Sequence, residues 1–359
     1  MSVVRRFGGR VVRQEWATEN VSQMLDALPA AERLAALDAQ RSPQQAIDPD
    51  AYEESAPALY VYRLQRGDDQ HVGVVADVSA AAFVDGQVRG HEAVQPDRVE
   101  GLVDYFTAAG ARSELVALLH RPEPGGAEAV AQTLHSDPVT RFTGPDGWEQ
   151  AVWRVPEPAA NVLTAELSRA VHYIADGHHR VAASLRVWQL AGRPSDAGLL
   201  CVIYPLDGLR LLAFHRRVAG PVDASELLAL LADAFDVRDI AHPDEVTGSF
   251  GLYIDGSWRD ASYKRPRPPG AAGLDIAILN EEVLAPLLGV GPHAASRLEI
   301  VRFPTETELT KACDQDGGAL FVLRPPTLDQ LTEVADRGEV MPPKTTYFDP
   351  KPYAGIFLR

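Results

Sequence analysis

Residues 170–190 read AVHYIADGHHRVAASLRVWQL, and no other stretch limits the fold as tightly. Val171, Tyr173 and Ala175 alternate with His172, Ile174 and Asp176, a period-two pattern rich in strand-forming residues. From Arg180 the period changes. Val181, Ser184, Leu185 and Trp188 fall at helical spacing until Gly192 and Pro194 close the run. The unit is therefore strand, tight turn, helix, with Asp176-Gly177-His178-His179-Arg180 on the turn.

The turn has a definite chemistry. The first backbone N–H groups of a helix lack partners inside it and point outward, and the helix dipole adds partial positive charge there. Gly177 lets the chain turn sharply and lets a ligand approach the backbone. His178, His179 and Arg180 add cationic or hydrogen-bonding groups at the same point. A turn built this way suits a phosphate. The plainer alternative has Asp176 capping the helix and the histidines lying on the surface. His178 and His179 make a poor metal pair, because neighbours in sequence diverge where ligands favour i, i+2 or i, i+4 spacing.

A chain of 359 residues is long for one compact core, so two or more associated lobes are expected. Hydrophobic residues make up 46% and charged residues 23%, an ordinary globular balance. The net charge of −16 argues against a large nucleic-acid surface but leaves room for a small basic pocket. No apolar run approaches a membrane span, and MSVVRRFGGRVV lacks the apolar core and cleavage site of a signal peptide. Cys201 and Cys313 stand far apart without metal spacing, so a reduced, cytoplasmic protein is expected, with Cys201 in the core. The sequence has no P-loop, glycine-rich dinucleotide, nucleophile-elbow or CxxC pattern, which removes support for those enzyme classes.

Residues 20–40 read as a helix carrying Val21, Met24, Leu25, Leu28, Leu34 and Leu37 and broken by Pro29, and residues 41–57 as a polar connector. Residues 58–64 and 71–78 form a hairpin across Arg66-Gly67-Asp68-Asp69, with Tyr60 and Tyr62 in the core and a nucleobase contact as the lesser alternative. Val99, Leu102, Val103 and Phe106 make the stripe of an amphipathic helix that starts at Pro96 and ends near Gly110. His91-Glu92 lies on the loop before it, where Glu92 by itself is a solvated acid near a helix start.

Further along, residues 198–205 are a strand buried on both faces. Residues 209–218 are another, ending in His215-Arg216-Arg217, whose groups either bind an anion or pair with some of the 50 acids. A hairpin at 248–263 turns at Asp255-Gly256. Residues 264–273 are a Pro/Gly-rich linker or loop, and 274–290 an apolar helix. In MPPKTTYFDPKP, Pro342, Pro343, Pro350 and Pro352 fix an extended chain presenting Lys344, Thr345 and Thr346. The alternative there is a strap pinned by Tyr347 and Phe348.

ADGHHR followed by an apolar helix resembles the phosphate-binding box of the ParB/sulfiredoxin superfamily, which includes free L-serine kinases. The chain as a whole resembles the bacterial and archaeal family called domain of unknown function 1015. The matching segments are PALYVYRL (57–64), GQVRGHEAVQPDR (86–98), YIADGHHRVAAS (173–184), LLAFHRRV (211–218), LDIAILNEEVLAPLLGV (274–290) and GEVMPPKTTYFDPKPYAGI (338–356). ADGHHR and MPPKTTYF are the specific motifs among them. Residues 10–30 lack the proline-rich PPYD-type segment that most relatives carry near the N-terminus. The resemblance implies a mixed α/β (α+β) fold, with a ParB/sulfiredoxin-like strand–DGHHR–helix core inside a larger two-lobed chain with mixed sheets. The expected divisions are 1–56, a helical and divergent extension; 57–220, a nucleotide-binding core with the HE and DGHHR motifs; and 221–359, an α+β lobe ending in the MPPKTTYF loop.

The resemblance also implies a small-molecule kinase moving a phosphoryl group from ATP or ADP, with Mg2+, to the hydroxyl of a free amino acid, L-serine first. Such a reaction asks a protein mainly for alignment and charge neutralisation. Gly177, His178, His179 and Arg180 would hold the nucleotide phosphates. Asp176 would position Mg2+ or the attacking hydroxyl, and Glu92 would take the hydroxyl proton as general base, with His179 beside them in the catalytic group. His91, His215, Arg216, Lys344, Thr345 and Thr346 would contact the substrate. The expected partners are a nucleotide and a small hydroxy-amino acid, with no nucleic acid and no membrane. Two alternatives stand beside this: a ParB-like nucleotide-binding switch or interaction module without kinase activity, and a kinase for another hydroxy acid such as threonine.

Overall fold

The computed structural model describes residues 2–20, 49–108, 114–289, 296–302 and 306–359. These form two compact units, Met1–Arg210 together with Pro350–Arg359, and Leu211–Asp349. The helix expected from residue 21 to 40, residues 41–48 of the connector and the end of the helix near Gly110 lie outside the described residues, while the rest of the connector is largely strand, Tyr52–Ala58.

The first unit contains β1 (Val4–Arg5), β2 (Phe7–Val12), β3 (Tyr52–Ala58), β4 (Tyr60–Arg66), β5 (Asp69–Ser79), β6 (Val88–Arg89), β7 (Val116–His120), β8 (Thr140–Thr143), β9 (Glu149–Arg154), β10 (His172–Asp176) and β11 (Gly198–Pro205). Among the described residues the large sheet has nine strands, in the order β6-β10-β7-β11-β5-β4-β9-β8 with β1 joined to β5. The β6–β10 and β7–β11 pairs are parallel and the other pairs antiparallel. The central strands β7 and β11 are buried on both faces, which is why VALLH and GLLCVIYP read as unbroken apolar runs. The β4–β5 hairpin turns at Gly67-Asp68 with Gly67 at φ +60°. Tyr60 and Tyr62 are both almost fully buried, so they belong to the core rather than to a base-stacking face.

Among the described residues the four longer helices on this sheet are α1 (Pro96–Ala108), α2 (Pro124–Leu134), α3 (Glu157–Arg169) and α4 (His178–Leu190). Leu163 and Leu167 of α3 and Val181 of α4 join Val61, Val74, Leu118, Trp153, Cys201 and Ile203 in one core. The stripe on α1 packs on α4 through Leu102, Phe106 and Ala183, with Val99, Val103 and Val187 at the margin. Helix α3 begins at Glu157, ahead of the apolar positions at 163–169, because Pro158 suits a first helical turn.

The second unit holds β12 (Arg210–Leu212), whose first residue belongs to the first unit, then β13 (His215–Val218), β14 (Phe235–Ile240), β15 (Phe250–Ile254), β16 (Ser257–Tyr263), β17 (Leu298–Val301), β18 (Ala319–Leu323) and β19 (Tyr347–Asp349). Its main sheet runs β14-β16-β15-β18-β13-β17, antiparallel throughout. The run 209–218, expected as one strand, is two: β12 pairs with β19, while β13 enters the main sheet. Phe214 at the break is buried against Tyr347, edge to face at 5.9 Å, so an apolar run continues through a change of sheet. The hairpin at 248–263 turns at Asp255 and Gly256, both at positive φ, the two-residue geometry expected of an Asp-Gly pair. The helix expected at 274–290 is interrupted by a π-turn at Asn280–Leu284. Pro286 has no N–H to give the carbonyl of Glu282, and the ladder loosens there.

Residues Pro350–Arg359 belong to the first unit. Their strand β20 (Phe357–Leu358) pairs with β2, which pairs with β3. Val12 N–H donates to the Ile356 carbonyl at 3.0 Å, the Tyr52 hydroxyl to the Gly355 carbonyl at 2.9 Å, and Tyr353 N–H to the Tyr62 hydroxyl at 3.3 Å. The Arg359 guanidinium meets Asp77, as does Arg5 at 2.6 Å. Phe357 is fully buried between Phe7 and Tyr60. Phe357→Ala is therefore expected to cost about 3–5 kcal/mol, read from urea unfolding. A loss below about 1 kcal/mol, the range of a surface change, would mean that this segment is not part of the core.

Candidate functional site

Parallel neighbours in a sheet end at the same edge, and this brings two distant motifs together. In the β6–β10 pair, Val88 faces His172 and Arg89 faces Tyr173. Strand β6 then runs through Gly90 into His91-Glu92, and β10 runs through Asp176 into Gly177-His178-His179. The pairing of β10 with β7 shifts register between Ile174 and Asp176, which releases the end of β10 from the ladder.

Gly177 occupies the cap position of α4 with φ +106°, a conformation that side chains rarely adopt. A Cβ there would also lie 2.9 Å from Nη2 of Arg180. The guanidinium thus fills the space a side chain would need. Asp176 does not cap the helix. Its Oδ2 accepts from Nη2 of Arg180 at 2.6 Å, and its Oδ1 meets Nζ of Lys351.

Arg180 was expected to hold phosphate. It is instead buried, 2% exposed, and donates to Asp176 and to the Leu115 carbonyl. A buried guanidinium needs a carboxylate close by, and the one four residues earlier supplies it. The histidines also differ from the expected cations. His91 and His178 are both buried, with rings edge to face at 4.7 Å. Burial pushes His91 down to about 4. Burial, and then His91, His179 and Arg180, push His178 well below the ordinary imidazole value. His178 is thus neutral at pH 7.

The backbone N–H of His91 donates to Nε2 of His178 at 3.3 Å, so the network assigns the ring proton to Nδ1. That nitrogen faces Oε2 of Glu92 at 3.5 Å. Glu92 is half-buried, with its side chain 35% exposed. His179, also half-buried, accepts at Nε2 from the N–H of Gln95 at 3.0 Å, just before α1. His91, expected to touch substrate, is 1% exposed and touches His178 instead. The structure therefore gathers Glu92, Asp176, Gly177, His178, His179 and Arg180, and adds Lys351. Its only sequence signal is its place in DPKP, just beyond the recognised motif.

Asp176, the carboxylate expected to position magnesium, is occupied by side chains in this structure. Both Asp176 oxygens are engaged by cations. Among the described residues no three His, Cys, Asp or Glu side chains cluster as metal ligands.

The remaining expected residues lie in the second unit and form a group there. Arg216 is buried and donates to four carbonyls, those of Phe214 and His215 at 3.3 Å and of Pro343 and Lys344 at 3.0 Å. Burial lowers it to about 10. It thus shapes the MPPK turn rather than presenting its charge. Lys344, at φ +57°, is exposed with Nζ 5.6 Å from the Phe214 ring. Thr345 is buried and donates to the Pro342 carbonyl at 2.6 Å, while Thr346 is half-buried. His215 accepts from Leu323 N–H at 3.3 Å, and burial, then Arg216, lowers its pKa.

Gly177→Ala is expected to destabilise the protein by more than about 1 kcal/mol, since it adds left-handed strain to a contact with Arg180. An unchanged urea midpoint would refute the close fit. Buried histidines also set a pH dependence. His91, His120, His172 and His178 all have lowered folded pKa values, so at mildly acid pH the unfolded chain binds protons that the folded chain does not. Stability is full above about pH 6.5 and falls towards pH 4, by ~1.4 kcal/mol per pH unit for each such group. A urea midpoint that stays flat between about pH 7 and pH 5 would contradict the burial of these rings.

Among solved structures the chain is similar to a free serine kinase mutant in complex with ADP, at 15% identity over 77% of this chain and 87% of that one, with a TM-score of 0.38. It is also similar to SbnI with a C-terminal truncation from Staphylococcus aureus, at 11% identity over 77% and 82%, with a TM-score of 0.40. A conserved hypothetical protein from Pyrococcus furiosus matches at 16% identity over 77% and 90%, with a TM-score of 0.34. No curated protein matches by sequence. Among the described residues no helix is long and apolar enough to cross a membrane. Residues 30–283 match the family described as "Protein of unknown function (DUF1015)", and the chain belongs to that family.

Proposed function

We propose that the first unit is the catalytic part of a kinase that transfers a phosphoryl group from ATP or ADP to the hydroxyl of a free amino acid, L-serine first. One observation carries the reading: a half-exposed carboxylate, Glu92, lies 3.5 Å from a neutral histidine on the sheet edge from which helix α4 starts. The likeness of ADGHHR to a phosphate-binding box supplies the reaction class. Nucleotide phosphates would lie against the first turn of α4, with the His179 ring beside them. Glu92 would take the proton of the acceptor hydroxyl as its oxygen attacks phosphorus and the bond to the departing ADP or AMP breaks. A neutral His178 suits this role. It orients the carboxylate, where an imidazolium at that distance would stabilise the anion and weaken the base. Asp176 in this reading arranges the cations on either side of it.

The test is a phosphorylation screen read by phosphorus NMR, with ATP or ADP and a panel of hydroxy-amino acids. Phosphoserine is the expected product. Nucleotide binding without transfer to any acceptor would favour a nucleotide-binding switch instead. Glu92→Gln is expected to lower turnover about a hundredfold or more while nucleotide still binds. Undiminished turnover in that variant would remove Glu92 from the chemistry.

A further inference from the structure

We infer that Lys351 is a phosphate-contacting residue of the first unit, the ammonium that meets the anionic group of the ligand beside Asp176. The inference rests on the kinase reading for the identity of that ligand.

Asp176 meets both Arg180 and Lys351, and Glu92 faces His178, two residues beyond Asp176. The buried histidines between them are neutral. Arg180 is closed in by Gly177, Leu115 and Asp176, so it neutralises charge without reaching a ligand. Among these four groups, loss of Lys351 leaves two carboxylates to one guanidinium, a balance unfavourable to a polyphosphate. Lys351 restores the balance from the outer side, with its side chain 31% exposed against 3% for Arg180. An ammonium has three donors on a flexible stem, so it can keep Asp176 and still give a hydrogen bond to a phosphate oxygen.

The mounting of Lys351 is more elaborate than a surface ion pair needs. Pro350 and Pro352 fix φ on both sides of it. Tyr353 N–H is tied to the buried Tyr62 hydroxyl, and β20 pairs with β2 four residues later. A rigid mount holds a functional group in one geometry, whereas an exposed Lys–Asp pair alone contributes little to stability.

The test is calorimetric titration of ADP and of inorganic pyrophosphate into the unaltered protein, Lys351→Met and Lys351→Arg. It is run beside mass-spectrometric measurement of lysine acylation in the unaltered protein. Lys351→Met is expected to bind both anions about tenfold or more weakly, with Lys351→Arg retaining most of the affinity. ADP is expected to slow acylation of Lys351, a result that needs no variant to fold. If the unaltered protein binds ADP, but Lys351→Met binds it equally and acylation is unaffected, Lys351 only partners Asp176 and the kinase reading stands. If the unaltered protein binds neither anion and acylation is unaffected, the phosphate reading and this inference both fall.

Discussion

The parallel pairing of β6 with β10 is the constraint on which the candidate site depends. Antiparallel neighbours would send their following loops to opposite edges; parallel ones deliver Glu92 and the DGHH turn to the same edge. Strand β6 has two residues and lies at the sheet's margin, so its register needs outside support. Gln87 provides it. Its side-chain amide donates to the carbonyls of Ser168 at 2.6 Å and Ala170 at 3.1 Å, and its own carbonyl accepts from His172 N–H at 2.9 Å. A slip of one residue would turn every side chain of β6 to the other face and carry Glu92 away from His178.

The electrostatics follow from burial. DGHHR reads as a cationic turn, yet folding removes most of that charge from the surface. Arg180 goes inward against Asp176, and His178 loses its proton to desolvation. What stays accessible is a carboxylate, a half-buried histidine and a lysine from elsewhere in the chain. Such a corner offers a geometry and a mixed set of charges rather than a strong positive field, in keeping with a chain of net charge −16.

The elements written in local pattern were legible. Alternation found β10, the helical period found α1 and α4, and Asp-Gly found the turn between β15 and β16. Less legible was any change that leaves the pattern intact. The apolar run 209–218 gives no sign that the chain leaves one sheet for another at Phe214. Arg180 carried a usable signal, since Asp176 stands four residues before it at pairing distance, but at a turn the same spacing also suits an outward cation. Lys351 had no local signal for its contact: its partner lies 175 residues earlier, and only the fold joins them.

The segment 350–359 shows what that separation means physically. It contributes β20, the buried rings of Tyr353 and Phe357, the Arg359–Asp77 pair and Lys351, all to a unit whose other residues end at Arg210. The second unit is thus an insertion between β11 and this segment. Closing a loop costs entropy that grows only slowly with length, so an insertion of this size is tolerated in the finished fold. The order of events is more affected. Contacts such as Tyr52 to Gly355, 303 residues apart, form only after a long closure, and topologies dominated by such contacts fold slowly. Until the segment docks, Asp176 has Arg180 as its cation but not Lys351, and Phe7 and Tyr60 lack the ring that covers them. The core of the first unit and the charge balance of its candidate site are therefore completed by the same contact.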